Sequence, residues 1–230
     1  GKVLMYGFNH RFHLSVEEAK KIINNDSLGR VINMKGVYGK SQMISFNQTD
    51  WRTKREESGG GILLDQGIHM LDLMRYLSEE NFVEIFSFID NAFWNFDVED
   101  NAYVLMKSSG GVVAQLHSSA TQWRHLFNLE ITLEKGSLIL GGLLTSSKSY
   151  GDETLTVITA DPIKDKGIPK ESISNFNEDV SWDNEIKYFA NSLLDDLPIK
   201  RGSVDDAIQT MRLIEDIYKA DPIWKKKFYN

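Results

Sequence analysis

Residues 62–77 carry Ile, Leu or Met at so many positions that a helix there presents apolar side chains around almost its whole circumference. Such a helix is stable only when other elements surround it, so the chain must supply layers on more than one side. At about 100° per residue the same helix gathers Asp65, His69, Asp72 and Tyr76 into one narrow stripe. Two carboxylates and an imidazole are costly to bury unless they pair or face a water-filled cleft. Gly59-Gly60-Gly61 directly precedes this segment and suits a close approach of backbone at a helix start.

The flanking sequence offers the layers. Ser15-Val16-Glu17-Glu18 has the form of a capping box that opens a helix ending near Asn25, with Leu28-Gly29 beyond it. A β-branched, half-polar run from Val31 to Tyr38 predicts a strand with one covered face, and a polar loop follows over residues 40–58. After the apolar helix come strand-like segments at 82–90, 101–107, 111–120, 126–134, 137–140 and 154–160. Gly110-Gly111 and Glu134-Lys135-Gly136 stand between such runs like hairpin turns, which makes much of the sheet antiparallel. Residues 161–179 are polar and turn-rich, whereas 182–194 and 203–218 have helical spacing. Ser203-Val204-Asp205-Asp206 forms a second capping box at the start of the latter. No repeat or linker divides the chain, so one α+β domain over residues 1–230 is expected.

A chain of 230 residues with 41% hydrophobic content can bury one substantial core. Its net charge of −7 opposes a nucleic-acid surface, and the run Lys225–Lys227 fits a solvated tail. Without cysteine the chain has no disulfide, thiolate ligand or thiol nucleophile. No apolar stretch approaches the length needed to span a bilayer, and a cytoplasmic location is expected. Gly1 to Phe8 resembles the last strand of a unit already under way, as in an excised domain.

Four residues separate Asp65 from His69, a spacing that lets a carboxylate orient an imidazole and raise its basicity. An imidazole so held can take a proton from a substrate hydroxyl while hydride leaves the same carbon. The same residues also fit a hydrogen-bonded pair capping a neighbouring loop. A third reading is a metal site on Asp65, His69 and Asp72, completed by His10, His13, His117 or His125. The contiguous glycines lack the preceding strand and spacing of a dinucleotide fingerprint.

Gly7-Phe8-Asn9-His10-Arg11-Phe12, the strand Gly29-Arg30-Val31-Ile32, Trp51-Arg52, and Gly59-Gly60-Gly61 leading to Asp65-x-Gly67-x-His69-x-x-Asp72 occur in an order with a known likeness. Together they resemble the C-terminal domain of the glucose-fructose oxidoreductase, inositol dehydrogenase and MocA (Gfo/Idh/MocA) family. That resemblance implies an α+β fold with an open, mostly antiparallel sheet, helices packed on one face, and homo-oligomer contacts through the other. It implies a sugar or cyclitol oxidoreductase using NAD or NADP. His69 would transfer the proton, Asp65 would orient it, and Asn9, Arg11, Trp51 and Arg52 would line the substrate side. Asp72 would be structural. The family's nucleotide-binding domain and the lysine of its Glu-Lys-Pro segment would precede Gly1. No cofactor or metal is therefore expected on this chain, and alone it is expected to be inactive. The competing expectations are a stand-alone binding or assembly module and a metal-dependent hydrolase.

Overall fold

A computed structural model describes residues 2–42, 51–145, 147–161, 163–165 and 168–229. Eight strands form one sheet: β1 (Val31–Gly39), β2 (Phe82–Asp90), β3 (Asn101–Ser108), β4 (Val113–Ser119), β5 (Leu126–Leu133), β6 (Gly136–Gly141), β7 (Glu153–Thr159) and β8 (Lys170–Phe176). Their spatial order is β2-β3-β4-β1-β5-β6-β7-β8, and every neighbouring pair is antiparallel except β1 with β4. The turns at Gly110-Gly111 and Glu134-Lys135 join β3 to β4 and β5 to β6 as the sequence predicts.

Helices α1 (Leu14–Asn24), α3 (Ile68–Ser78) and α5 (Val204–Ala220) pack against the sheet, while α2 (Arg55–Ser58) is short and α4 (Ser181–Leu194) lies against the turn at Asn9–Phe12. α3 is the apolar helix, and it is enclosed by β1, β4, α1 and α5. Met70, Leu71, Leu73, Met74 and Leu77 are all fully buried there, each such side chain contributing about 1.5–3 kcal/mol relative to exposure. The opposite sheet face stays open at β2 and β3, where Phe86 faces Leu105 across the ladder and Phe88 faces Tyr103. Phe86 and Phe88 are 70% and 75% exposed.

Five expectations change, the first being the polar loop over residues 40–58, which holds the short helix α2 and of which 43–50 lie outside the described residues. Ser15 is not a cap: α1 begins at Leu14 with His13 before it. The capping carboxylate comes instead from Glu153 at the start of β7, which accepts from the Ser15 amide at 3.0 Å, from His13 Nδ1 at 2.8 Å and from the Leu144 amide at 3.2 Å. The polar stretch 161–179 contains β8, an edge strand. The lysine run belongs to α6 (Pro222–Phe228), capped by Asp221, with Lys227 lying over the Trp224 and Phe228 rings. Residues 2–8 form no strand. The box at Ser203 is present as read, with Asp206 and Ser203 capping each other's amides.

Glu153 gives a pH prediction. Burial would raise its pKa, but the hydrogen bonds from His13 and Ser15 outweigh burial and hold it below the ordinary glutamate value. Its contribution is therefore complete above the ordinary value of 4.5 and fades as pH falls through the lower folded value. Glu153→Gln is expected to lose about 1–3 kcal/mol near neutral pH and to be less sensitive to acid than the parent. Urea midpoints near pH 7 and about pH 3.5 check both points.

Candidate active site

The segment bearing the predicted residues starts where the chain crosses Glu99. A Cβ on Gly61 would sit 2.1 Å from the Glu99 carbonyl oxygen, so only glycine fits. The buried Glu99 carboxylate accepts from the Gly61 and Leu63 amides and from the Tyr218 hydroxyl, which fixes the start of the turn. Leu63–Gly67 is then a π-helical turn, with the Ile68 amide reaching back to the Leu63 carbonyl. The inserted residue breaks the regular wheel, and π-turns of this kind concentrate at functional sites. Asp65 lies inside this turn and His69 just after it.

His69 forms part of the walls of two adjoining cavities. The larger, about 640 Å³, is lined also by Asn9, His10, His13, Tyr38 and Trp182. The smaller, about 180 Å³, is lined by Trp51, Arg52, Leu64, Asp65 and Ile68. Burial lowers the His69 pKa to about 4, the Asp65 charge opposing that shift and the Lys40 charge adding to it. His69 is thus neutral across the neutral pH range. Its Nδ1 is buried and has no hydrogen-bond partner among the described residues.

Asp65 does not hold His69 by a hydrogen bond. Its carboxylate takes Lys40 Nζ at 2.6 Å, Gln66 Nε2 at 3.2 Å and Arg52 Nε at 3.5 Å. Burial would raise the Asp65 pKa, but Lys40 above all keeps it below the usual carboxylate value. Its influence on His69 is through its field. Arg52 also lies over the Trp51 ring at 4.6 Å, and Trp51 is half exposed at the mouth of the smaller cavity.

Arg11 departs from its expected place. Its side chain is 2% exposed and grips Asp72 with two hydrogen bonds, Nε at 2.7 Å and Nη2 at 2.6 Å, while Nη1 reaches Asp206 at 3.0 Å. It borders a separate cavity with Lys20, Arg75 and Tyr76 rather than the one at His69. With Asp65 on Lys40 and Asp72 on Arg11, the stripe does not converge on an ion. Among the described residues no group of three or more His, Asp or Glu side chains is placed to hold a metal.

Sequence reading passed over Tyr38, Tyr150 and Lys40, and offered His10 only as a completing metal ligand and as part of the opening motif. The His10 ring lies flat on His69, with centroids 4.1 Å apart and planes 9° apart. Its Nε2 meets the Tyr38 hydroxyl at 2.9 Å, and Tyr150 packs edge-on to Tyr38 and donates to Gln66 Oε1. His10 next to Asn9 and Arg11 was visible in sequence, but a contact between residues 10 and 69 has no local signal.

A family model described as the GFO/IDH/MocA C-terminal domain matches residues 16–139. The chain belongs to that family. Over 79 residues, 34% of its length, it is 37% identical to a D-glucoside 3-dehydrogenase of Escherichia coli strain K12, covering 21% of that protein. Over 126 residues, half its length, it is 31% identical to a 1-carboxy-3-chloro-3,4-dihydroxycyclohexa-1,5-diene dehydrogenase of Comamonas testosteroni, covering 29% of it. The chain thus matches well under two thirds of either relative. Among solved structures, an aldose-aldose oxidoreductase from Caulobacter crescentus complexed with glycerol superimposes on 96% of this chain and 62% of its own, with a TM-score of 0.77 at 24% identity. A levoglucosan dehydrogenase complexed with NADH and levoglucosan covers 95% of this chain and 64% of its own, with a TM-score of 0.78 at 18% identity. These likenesses bear out the resemblance drawn from the motifs and the open-sheet fold.

Proposed function

We propose that this domain is the substrate-binding and proton-transferring half of a nicotinamide-dependent sugar or cyclitol oxidoreductase. The observation that carries the reading is His69, an imidazole in the walls of two adjoining cavities, with polar side chains beside it. A neutral imidazole accepts the proton of a CH–OH group as hydride departs from the same carbon, leaving a ketone. The hydride acceptor would be NAD or NADP, which supplies the redox chemistry when bound by a nucleotide-binding domain ahead of Gly1. In this reading Asn9 and Trp182 face substrate from the larger cavity, and Trp51 and Arg52 from the smaller. Asp65 tunes His69 electrostatically, and Arg11 belongs to the framework. The dehydrogenase names of the relatives support the reaction class, and the levoglucosan complex supports a pyranose-sized substrate. The open face around Phe86, Phe88, Tyr103 and Leu105 would join copies of the chain. Among the described residues no helix is long and apolar enough to cross a membrane.

The test joins residues 1–230 to a family nucleotide-binding domain. That fusion is expected to reduce NAD or NADP with a panel of pyranoses and cyclitols, followed by nicotinamide absorbance. Residues 1–230 alone are expected to bind neither nucleotide and to give no turnover. Tight nucleotide binding by the chain alone, or no turnover by a folded fusion with any member of the panel, would overturn the proposal.

A further inference from the structure

Orientation of His69 has to come from somewhere other than a hydrogen bond. Its Nδ1 has no partner among the described residues, and Asp65, the residue best spaced to hold it, is engaged by Lys40. What does touch the ring is His10, stacked flat at 4.1 Å. The protons around His10 can be assigned in sequence from one carboxylate. Asp179 Oδ1 accepts the Ser181 hydroxyl at 2.7 Å, which uses the only proton of that hydroxyl. Ser181 Oγ is therefore an acceptor toward Asn9 Nδ2 at 3.4 Å, and this sets the Asn9 amide with Oδ1 toward His10. Because Oδ1 only accepts, His10 Nδ1 at 3.1 Å carries the proton. Nε2 then holds a lone pair, and the Tyr38 hydroxyl donates to it at 2.9 Å.

We propose that His10 is the positioning residue of His69: a buried ring locked in its Nδ1–H tautomer, whose flat face holds the plane of the His69 ring and leaves Nε2 as the nitrogen available to substrate. The groups around the pair agree with a neutral stack. His13 lies 5.7 Å from His10 at the start of α1, edge-on, and is engaged by Glu153. Tyr38 of β1 and Phe127 of β5 also pack on His10, which otherwise borders the larger cavity. Asp65 and Lys40 act on His69 with opposite signs. Burial first, then the His69 and His13 charges, push the His10 pKa well below its ordinary value. Two parallel imidazoles at this distance cannot both carry charge without strong repulsion in a poorly hydrated pocket.

This role rests on the proposal that His69 exchanges the substrate proton. The test is nitrogen-15 NMR of the histidine rings in residues 1–230, which reads the stack without any turnover. His10 is expected to show an Nδ1–H pattern that stays constant through the neutral range, and His69 to titrate well below 6.5. His10→Phe keeps a flat ring and should leave the His69 titration in place. His10→Leu removes the support and admits water, and should raise the His69 midpoint by roughly one unit, a tenfold gain in proton affinity. Tyr38→Phe takes away the donor to Nε2 without touching the stack or the Asn9 acceptor at Nδ1, and should keep the Nδ1–H pattern while shifting the His10 Nε2 signal. An Nε2–H His10 in the parent, or a folded His10→Leu chain with unchanged His69 signals, would overturn the assignment. If His10→Leu does not fold, unchanged His10 signals in Tyr38→Phe would do so. Turnover retained by a His69→Asn fusion would remove the functional reading and leave these spectra as they are.

Discussion

Replacing His69 with asparagine in a chain that carries a nucleotide-binding domain is expected to lower kcat by roughly 10²–10⁴-fold, the usual contribution of a positioned general base. Asparagine keeps a polar side chain of similar reach but cannot take up a proton at neutral pH. The substrate contacts proposed for Asn9, Trp51 and Arg52 are left intact, so KM should change little. A loss confined to kcat marks an interaction made in the transition state, whereas a loss confined to KM marks simple binding. Steady-state kinetics with one good substrate separate the two, and a KM-only effect would make His69 a binding residue. The residual rate should also respond to added hydroxide more steeply than the parent, since solvent must then take the proton.

Arg11→Ala is expected to cost about 3–5 kcal/mol of folding stability, because it leaves the Asp72 carboxylate buried without its main partner. Asp72 is fully buried, and its other contact is the Thr210 hydroxyl at a long 3.4 Å. The guanidinium ties three parts of the chain together: the turn at Asn9–Phe12, α3 through Asp72, and α5 through Asp206. It also lies against the Phe8 and Tyr76 rings at 5.2 and 4.7 Å. The loss should shrink as pH falls, since protonating the orphaned Asp72 removes the buried charge and raises the stability of the variant relative to the parent. Removing both partners, as Arg11→Met with Asp72→Leu, should recover much of the loss by leaving no charge behind. Urea unfolding of the single and double variants measures all three expectations. An Arg11→Ala chain as stable as the parent would return Arg11 to the substrate side.

Most of the sheet was legible because β1 to β7 are short runs rich in β-branched and apolar residues bounded by polar or glycine turns. β8 escaped for want of such a run: Lys170, Glu171, Ser172, Ile173, Ser174 and Asn175 are all exposed, and a strand that buries neither face has no alternation to read. The start of α6 did have a signal, Asp221 before Pro222, which the lysine run obscured. At the candidate site, His69 and Asp65 were legible as chemistry but their relation was not. A wheel assumes regular turns, and the π-turn at Leu63–Gly67 makes that assumption fail where it mattered. The contacts that reassign Asp65, Arg11 and Ser15 come from Lys40, Asp72 and Glu153, residues distant in sequence whose pairing only the fold decides.

The position of β1 has a bearing on how this chain reaches its native state. The first of the eight described strands becomes a central strand in space, pairing Asn33 with Val113 on one side and Val31 with Leu133 on the other. During synthesis it emerges long before either partner exists, with both edges unpaired and its apolar face uncovered. Closing such distant pairs carries a high loop entropy before any contact rewards it, which slows folding. Any chain cut short between β1 and β5 would keep an open, pairing-competent edge, so the domain gains protection from aggregation only once residue 133 has left the ribosome.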